Sequence, residues 1–130
     1  MDKTAILKGF NNQFEEFMED VETLFPENND IKTTKTGLMM LRKANPKMII
    51  GVWFRYVCEK YEEEIEKENI EYFLNKDYNE DLKRNANSSQ VLQGIDKLRE
   101  PLRQLDETNK RKTIQYLKNL NQLSKIYNNN

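Results

Sequence analysis

Four glutamates at helical spacing are the first residues of this 130-residue sequence whose arrangement suggests chemistry. Glu59, Glu62, Glu63 and Glu66 recur at intervals of three and four, which places their carboxylates on one side of a helix. Such a face could bind a divalent cation, but the di-iron and di-manganese sites of helical bundles also need histidine, and the chain has none. No apolar neighbours shelter these acids for acid–base catalysis. The sequence therefore predicts a solvated acidic face.

A calcium-binding loop is also incomplete in this sequence. Asp77, Asn79 and Asp81 have the alternate-residue spacing with which such a loop begins. The turn glycine and the final bidentate glutamate are missing, because Leu82 and Ser88 stand at their positions. We therefore predict no metal ion and no other cofactor for this chain.

The absence of histidine and the presence of a single cysteine, Cys58, exclude further classes of site. Neither a Ser-His-Asp nor a Cys-His pair can form, and a zinc site needs four Cys or His ligands. One cysteine forms no internal disulfide, which is typical of a reducing, intracellular compartment. The four glycines stand apart, so no phosphate-binding loop is present. We predict that the chain is not an enzyme and has no catalytic residues.

No targeting or membrane-spanning segment is recognisable in the sequence. The residues after Phe10 are polar and acidic, unlike the apolar region of a signal peptide. The longest apolar-rich stretch, Met48–Val57, is interrupted by Gly51 and Arg55 and is far shorter than the roughly 20 residues that a membrane helix needs. We expect no membrane span.

Apolar residues recur every three or four positions through most of the chain, as in amphipathic helices. The pattern predicts an all-α fold, a compact bundle of about five helices without a sheet. The predicted helices cover about 4–25, 31–44, 46–67, a stretch from about 89 past 98, and 108–127, with a short helix or turn at 70–74. The bundle is predicted to be a single domain over 1–130. The alternative is a three-helix part over 1–75, a loop over 76–88 and a helical hairpin over 89–127.

Capping residues and prolines indicate where these helices begin and end. The predicted N-caps are Thr4, Asp30, Asn45 and one of Ser88 and Ser89. Pro26 ends the first helix, and Pro46 takes the first helical position after Asn45. Pro101 is expected to kink or restart the fourth helix.

The net charge of −1 conceals four blocks of alternating sign. Residues 1–30 and 59–81 are acidic, whereas residues 31–58 and 82–130 are basic. One interpretation is that neighbouring helices of opposite charge attract each other in the bundle. The other is that a basic block faces a partner, and charge reversal within residues 31–47 would then weaken assembly without reducing helicity. The candidate interaction surface comprises Lys32, Lys35, Arg42, Lys43 and Lys47, and Lys110, Arg111, Lys112 and Lys118.

The third predicted helix carries the densest aromatic group of the chain. Its first half is apolar almost all round, so we expect it to be the most buried element. Core packing is one interpretation of its aromatic residues. The alternative is that one side of the helix faces another protein, with Trp53 and Tyr56 as aromatic anchors.

Several short runs stand in a recognisable order along residues 10–127. They are Phe10–Phe25 with Pro26, Leu38, Leu41-Arg42-Lys43-Ala44-Asn45-Pro46, Trp53 with Tyr56-Val57, Glu71-Tyr72-Phe73, Lys76-Asp77-Tyr78, Lys97-Leu98-Arg99-Glu100-Pro101, and Leu117, Leu120, Leu123 and Tyr127. Together they resemble small helical proteins encoded by nucleocytoplasmic large DNA viruses, the giant viruses of algae and amoebae. Sixteen asparagines and fifteen lysines against six arginines also fit an AT-rich coding genome.

The resemblance implies a structural or accessory role in the virion or the host cytoplasm, and it supplies no catalytic or binding residues. The first functional hypothesis is a non-enzymatic protein–protein interaction module, in its concrete form a minor virion component associated with capsid proteins. The second is an accessory nucleic-acid-binding factor in replication or transcription, for which the basic residues after position 82 are the motivating feature.

Overall fold

The computed structural model of the protein describes residues 2–74 and 86–129, and all regular structure within these ranges is helical. The prediction of an all-α bundle is therefore confirmed. The helices are α1 (Lys3–Leu24), α2 (Asn29–Ala44), α3 (Met48–Trp53), α4 (Glu59–Glu66), α5 (Ile70–Leu74), α6 (Ala86–Leu102) and α7 (Glu107–Asn129). A π-helical segment, Phe54–Cys58, joins α3 to α4, so residues 48–66 form one continuous rod.

The first two helices begin and end close to their predicted limits, but their N-caps are not the residues that the sequence predicted. The Asp2 carboxylate accepts a 3.1 Å hydrogen bond from the N–H of Thr4, so Thr4 is already inside α1. The side-chain oxygen of Asn28 accepts the N–H of Ile31 at 3.2 Å, whereas Asp30 lies in the first turn of α2. In both helices the cap is the residue whose backbone is still extended and whose side chain reaches the first free N–H groups.

The Asn45–Pro46 pair forms a turn between helices, because α3 begins only at Met48. The N–H of Asn45 donates to the carbonyl of Leu41 at 2.8 Å and so closes α2. The side-chain oxygen of Asn45 accepts the N–H of Lys47 at 3.3 Å. The prediction of Asn45 as a helix N-cap was thus wrong by two residues.

The sixth helix begins earlier than its sequence suggests. It starts at Ala86, so Ser88 and Ser89 lie inside the helix and neither is its cap. It ends at Leu102, one residue after Pro101, and the N–H of Arg103 still donates to the carbonyl of Arg99 at 3.1 Å. The expected kink or restart is therefore a helix end. Of the predicted loop over 76–88, the last three residues belong to α6, while residues 76–85, with the incomplete calcium motif, lie outside the described residues.

One hydrophobic core joins the helices. Helix α7 runs along α1 and also contacts the rod of residues 48–66, while α2 packs between α1 and α6. The last two helices thus pack directly on the first three. The core includes Phe10, Phe14, Phe17, Val21, Leu38, Ile50, Trp53, Val57, Ile65, Phe73, Leu92, Ile95, Leu98, Leu117 and Leu120.

Four of the six residues of α3 belong to this core. Ile49, Ile50, Val52 and Trp53 are all buried. The indole of Trp53 packs edge-on against the rings of Phe10 and Phe14 of α1, at centroid distances of 6.4 and 6.1 Å. Since aromatic pairs favour edge-to-face contact, this cluster fixes where α3 crosses α1.

Candidate interaction surface

The acidic side of α1 neutralises part of the basic cluster on α2. The guanidinium of Arg42 lies 2.8 Å from the carboxylate of Glu15 and also donates to the backbone carbonyl of Asn11 at 3.3 Å. The ammonium of Lys35 lies 3.3 Å from Glu22. Lys35 and Arg42 are seven residues apart, so they share one stripe of α2, the stripe that faces α1.

The acidic residues of α4, of α5 and of the turn between them meet α7 in the same way. The ammonium of Lys110 lies 3.3 Å from Glu71, and that of Lys118 lies 3.9 Å from Glu68. Glu62 pairs with a further lysine of α7, Lys125, at 2.5 Å. Two of the four predicted basic residues on α7 are therefore engaged within the chain.

Five of the nine predicted basic residues have no ion pair among residues 2–74 and 86–129. All five are exposed. They are Lys32, Lys43, Lys47, Arg111 and Lys112. The structure separates them into a group on and just after α2 and a pair near the start of α7.

The side of α2 that faces away from the bundle collects two of these lysines. At about 100° per residue, Lys32, Thr36, Met40 and Lys43 fall within roughly a quarter of the helix circumference, and all four are exposed. We call these four residues the α2 outer face. The side chain of Met40 is 67% exposed, more than that of any other large apolar residue in the described chain.

A shallow cavity lies beside the α2 outer face, between α2 and the last turns of α1. Its volume is about 290 Å³. It is lined by Glu22, Lys35, Thr36, Met39, Met40 and Lys43. Because Lys35 pairs with Glu22, the only cation on its wall that has no carboxylate partner in the described chain is Lys43.

The two aromatic residues proposed as anchors lie in the interior. Trp53 is 1% exposed and its indole N–H donates a 2.7 Å hydrogen bond to the side-chain oxygen of Asn121. Tyr56 is also buried, with the ammonium of Lys60 5.4 Å from its ring centroid. The indole of Trp53 is covered by α1 and α7, whereas Tyr56 lines a surface cavity together with Gly51, Val52 and Arg55. Core packing is therefore the correct interpretation of Trp53, and its prediction as an anchor for a partner was wrong.

Arg99 is a buried polar residue that the sequence reasoning did not select. It is 2% exposed, and its Nε donates to the carbonyl of Leu74, the last residue of α5, at 2.9 Å. Arg103 donates to the same carbonyl at 2.6 Å. A signal was present, since Arg99 follows Ile95 by four residues and so belongs to the buried stripe of α6.

Cys58 is enclosed in the core. Burial raises the pKa of its thiol above the ordinary value of 9.0, an effect opposed by its hydrogen bond with Ser124. The thiol donates weakly to the carbonyl of Asn121 at 3.5 Å. A buried thiol with a raised pKa carries little thiolate, which is the nucleophilic form.

The described residues form no cluster of three or more Asp, Glu, Cys or His side chains that could hold a metal ion. Of the predicted acidic face, Glu62 and Glu63 instead pair with lysines, while Glu59 and Glu66 are exposed. No helix in residues 2–74 and 86–129 is long and apolar enough to cross a membrane.

Comparison of the chain with protein-family models, curated proteins and solved structures gave no match.

Proposed function

We propose that this chain is a non-enzymatic interaction module that binds a protein partner through the α2 outer face. The observation that carries the proposal is Met40, a large apolar side chain that is 67% exposed between two lysines without carboxylate partners in the described chain. Exposed apolar area rimmed by charge is typical of protein-binding surfaces. On the side of α2 that faces α1, Lys35 and Arg42 pair with glutamates, so the positive charge of the helix that is unpaired within the described chain lies on the α2 outer face.

The chemistry of the remaining side chains supports a role without catalysis. Catalytic sites concentrate titratable groups whose pKa values are shifted within a cleft. The one nucleophilic thiol is instead enclosed in the core beside Ser124 and Asn121. The carboxylates of Glu62, Glu68 and Glu71 pair with lysines of α7. These groups are engaged in contacts within the bundle, so we favour binding over catalysis as the function of the surface.

The concrete form of this proposal comes from the resemblance to proteins of large DNA viruses. In that setting the chain would be a minor virion component that contacts capsid proteins, in the virion or in the host cytoplasm. Capsid proteins among the partners recovered from the native source would support this form. Partners with no relation to a virion would reject it and leave the interaction module standing.

The test is affinity purification from the native source with two charge-reversed variants of equal net charge. Lys32→Glu with Lys43→Glu changes the α2 outer face, and Arg111→Glu with Lys112→Glu changes the start of α7. All four residues are exposed, so both variants should keep the helical circular dichroism of the parent. Partners that survive nuclease and are lost only from the α2 variant support the proposal. Partners retained by the α2 variant contradict it.

An accessory nucleic-acid-binding factor is the second candidate, favoured by the exposed pair Arg111 and Lys112 near the start of α7. That function predicts partners that vanish with nuclease and binding that is lost from the α7 variant. Affinity for a 20-nucleotide oligonucleotide would then fall with salt on a log–log slope set by the number of phosphates contacted. Lys110 and Lys118 weaken this candidate, because both already pair with glutamates.

A further inference from the structure

The cavity beside the α2 outer face indicates what kind of side chain a partner presents. Its volume of about 290 Å³, open to the surface, leaves room for one large side chain of a partner. Met39 and Met40 supply its apolar wall. Methionine side chains are flexible and polarisable, and they adapt to the shapes of different partners.

The charges around the cavity indicate what surrounds that apolar side chain. Lys43 lies on the cavity wall, and Lys32 lies eleven residues earlier on α2, about 16 Å away along the helix axis. Neither has an ion pair with a described residue, whereas Lys35 on the inner wall is already neutralised by Glu22. A complementary partner therefore carries negative charge at both ends of an apolar centre.

A helix is the partner shape that matches this arrangement. The described residues contain no strand, so they offer no sheet edge to which a partner strand could be added. A single helix of about three turns spans 16 Å and can place acidic residues near both lysines while one apolar residue faces the cavity. Binding of this kind is the helix-in-groove mode, in which apolar anchors recur at helical spacing.

We infer that the partner segment is an acidic amphipathic helix. One of its large apolar side chains enters the Met39–Met40 cavity, and its acidic residues pair with Lys32 and Lys43. This inference rests on the proposed function and deepens it by naming the partner's chemistry. Nucleic acid fits the surface less well, because the α2 outer face has no aromatic side chain for base stacking and the methionines add nothing to phosphate contacts.

Selection from a random library of 16-residue peptides displayed on phage tests the inference without a known partner. The full chain is immobilised, and binders are counter-selected against the Lys32→Glu, Lys43→Glu variant. We expect the selected pool to be rich in Asp and Glu around one or two large apolar residues. The enriched peptides should bind the counter-selected variant at least about tenfold more weakly than the parent, because like charges then meet across the interface.

Two further variants separate charge from apolar contact. Met40→Ser should also weaken the selected peptides, whereas Arg111→Glu with Lys112→Glu should leave their affinity unchanged. Three results would overturn the inference. The selected pool could lack a surplus of acidic residues, or the peptides could bind the Met40→Ser variant as well as the parent. The third result is displacement of the peptides by a 20-nucleotide oligonucleotide. A library from which nothing is enriched would overturn it too.

The two proposals fail in different ways. If native partners depend on the α2 outer face but selected peptides are neutral or basic, the acidic-helix inference is wrong and the interaction module stands. If native partners ignore Lys32 and Lys43 altogether, the proposed function itself fails, whatever the peptides show.

Discussion

The indole nitrogen of Trp53 donates a 2.7 Å hydrogen bond to the side-chain oxygen of Asn121, a residue 68 positions later in the chain. Both side chains are almost completely buried, at 1% and 2% exposure. The carbonyl of Asn121 also accepts from the thiol of Cys58 and, at 2.9 Å, from the hydroxyl of Ser124. One residue of α7 thus satisfies polar groups of the central rod where no water competes for them.

Removing the Asn121 side chain should therefore be costly. Asn121→Ala leaves the indole N–H buried without an acceptor, a penalty of about 1–3 kcal/mol in the free energy of unfolding, with a small cavity added. Urea denaturation of Asn121→Ala, Trp53→Phe and the double variant gives the coupling between the two residues. We expect a coupling near 1 kcal/mol or above, and additive effects would show that this hydrogen bond contributes little.

Arg99 should contribute more to stability than its neighbour Arg103. Arg99→Met removes a buried donor to the last carbonyl of α5, and we expect a loss of about 2–3 kcal/mol in the free energy of unfolding. Arg103→Met removes a donor whose side chain is 41% exposed and leaves Arg99 on the same carbonyl, so its cost should stay below about 1 kcal/mol. Equal costs in urea denaturation would contradict the role assigned to Arg99.

The pair between Arg42 and Glu15 offers a charge-exchange test of the α1–α2 interface. Arg42→Glu places two carboxylates together and loses the bond to the Asn11 carbonyl, for an expected cost of about 1–2 kcal/mol. Adding Glu15→Arg should recover about half of that loss in thermal denaturation. As a matched control on the same helix, Lys43→Glu should change stability by less than about 0.5 kcal/mol, because Lys43 has no pair within the described chain.

The thiol of Cys58 should be inert while the chain is folded. We expect a thiol-specific disulfide reagent to react at least about a hundredfold more slowly with the native chain than with the urea-unfolded chain, because the buried thiol reacts only on opening. Fast native labelling would place Cys58 in a less enclosed setting.

The pKa of Cys58 also gives stability a pH dependence above pH 9.0. Because burial raises the folded pKa, the unfolded chain loses its thiol proton first as pH rises. The Cys58 contribution is therefore complete below pH 9.0 and is lost as the pH rises through the folded pKa. Compared over pH 8 to 11, Cys58→Ala should show a shallower fall in stability than the parent chain.

Two helical glycines should tolerate alanine and a third should not. A Cβ at Gly9 or Gly51 meets nothing within 4 Å, so Gly9→Ala and Gly51→Ala should each raise the free energy of unfolding by about 0.5–1 kcal/mol. A Cβ at Gly94 would lie 3.1 Å from Leu38 Cδ1 and 3.3 Å from Thr34 Cγ2. Gly94→Ala should consequently show no such rise in the free energy of unfolding. Thermal denaturation ranks the three, and an equal gain at Gly94 would mean that α2 can yield at this contact.

Apolar spacing located the long helices well, because periodicity reports which side of a helix is buried. The prediction of 4–25 for α1 and of 108–127 for α7 compares with Lys3–Leu24 and Glu107–Asn129. The caps were less predictable, since Asp2, Thr4, Asn28 and Asp30 are all residue types that cap helices, and only the backbone turn selects between them. The π-helical segment Phe54–Cys58 was not predicted, because apolar spacing does not distinguish five residues of π-helix from a continuing α-helix.

The exposed part of the candidate interaction surface could be predicted only in part, for a reason of geometry. The sequence shows that residues 31–58 contain no acid, but Lys35 and Lys43 look alike until the crossing of α1 over α2 is known. That crossing gives Lys35 a carboxylate partner and leaves Lys43 exposed. Trp53 was ambiguous for the same reason, since an apolar helix side is compatible with a core or with a partner until its neighbours are placed.

The ion pairs between α1 and α2 and between α4 and α7 also discriminate between alternative topologies. Amphipathic helices can bury their apolar stripes in several spatial orders, so burial alone selects among them weakly. Helices α1 and α4 are acidic, α2 and α7 are basic, and α6, which packs against α2, carries as many acids as bases. Exchanging α1 with α2 would lay the basic helix α2 along the basic helix α7. The alternation of charge along the chain therefore favours the α1–α2 and α4–α7 neighbours of this bundle over such an exchange.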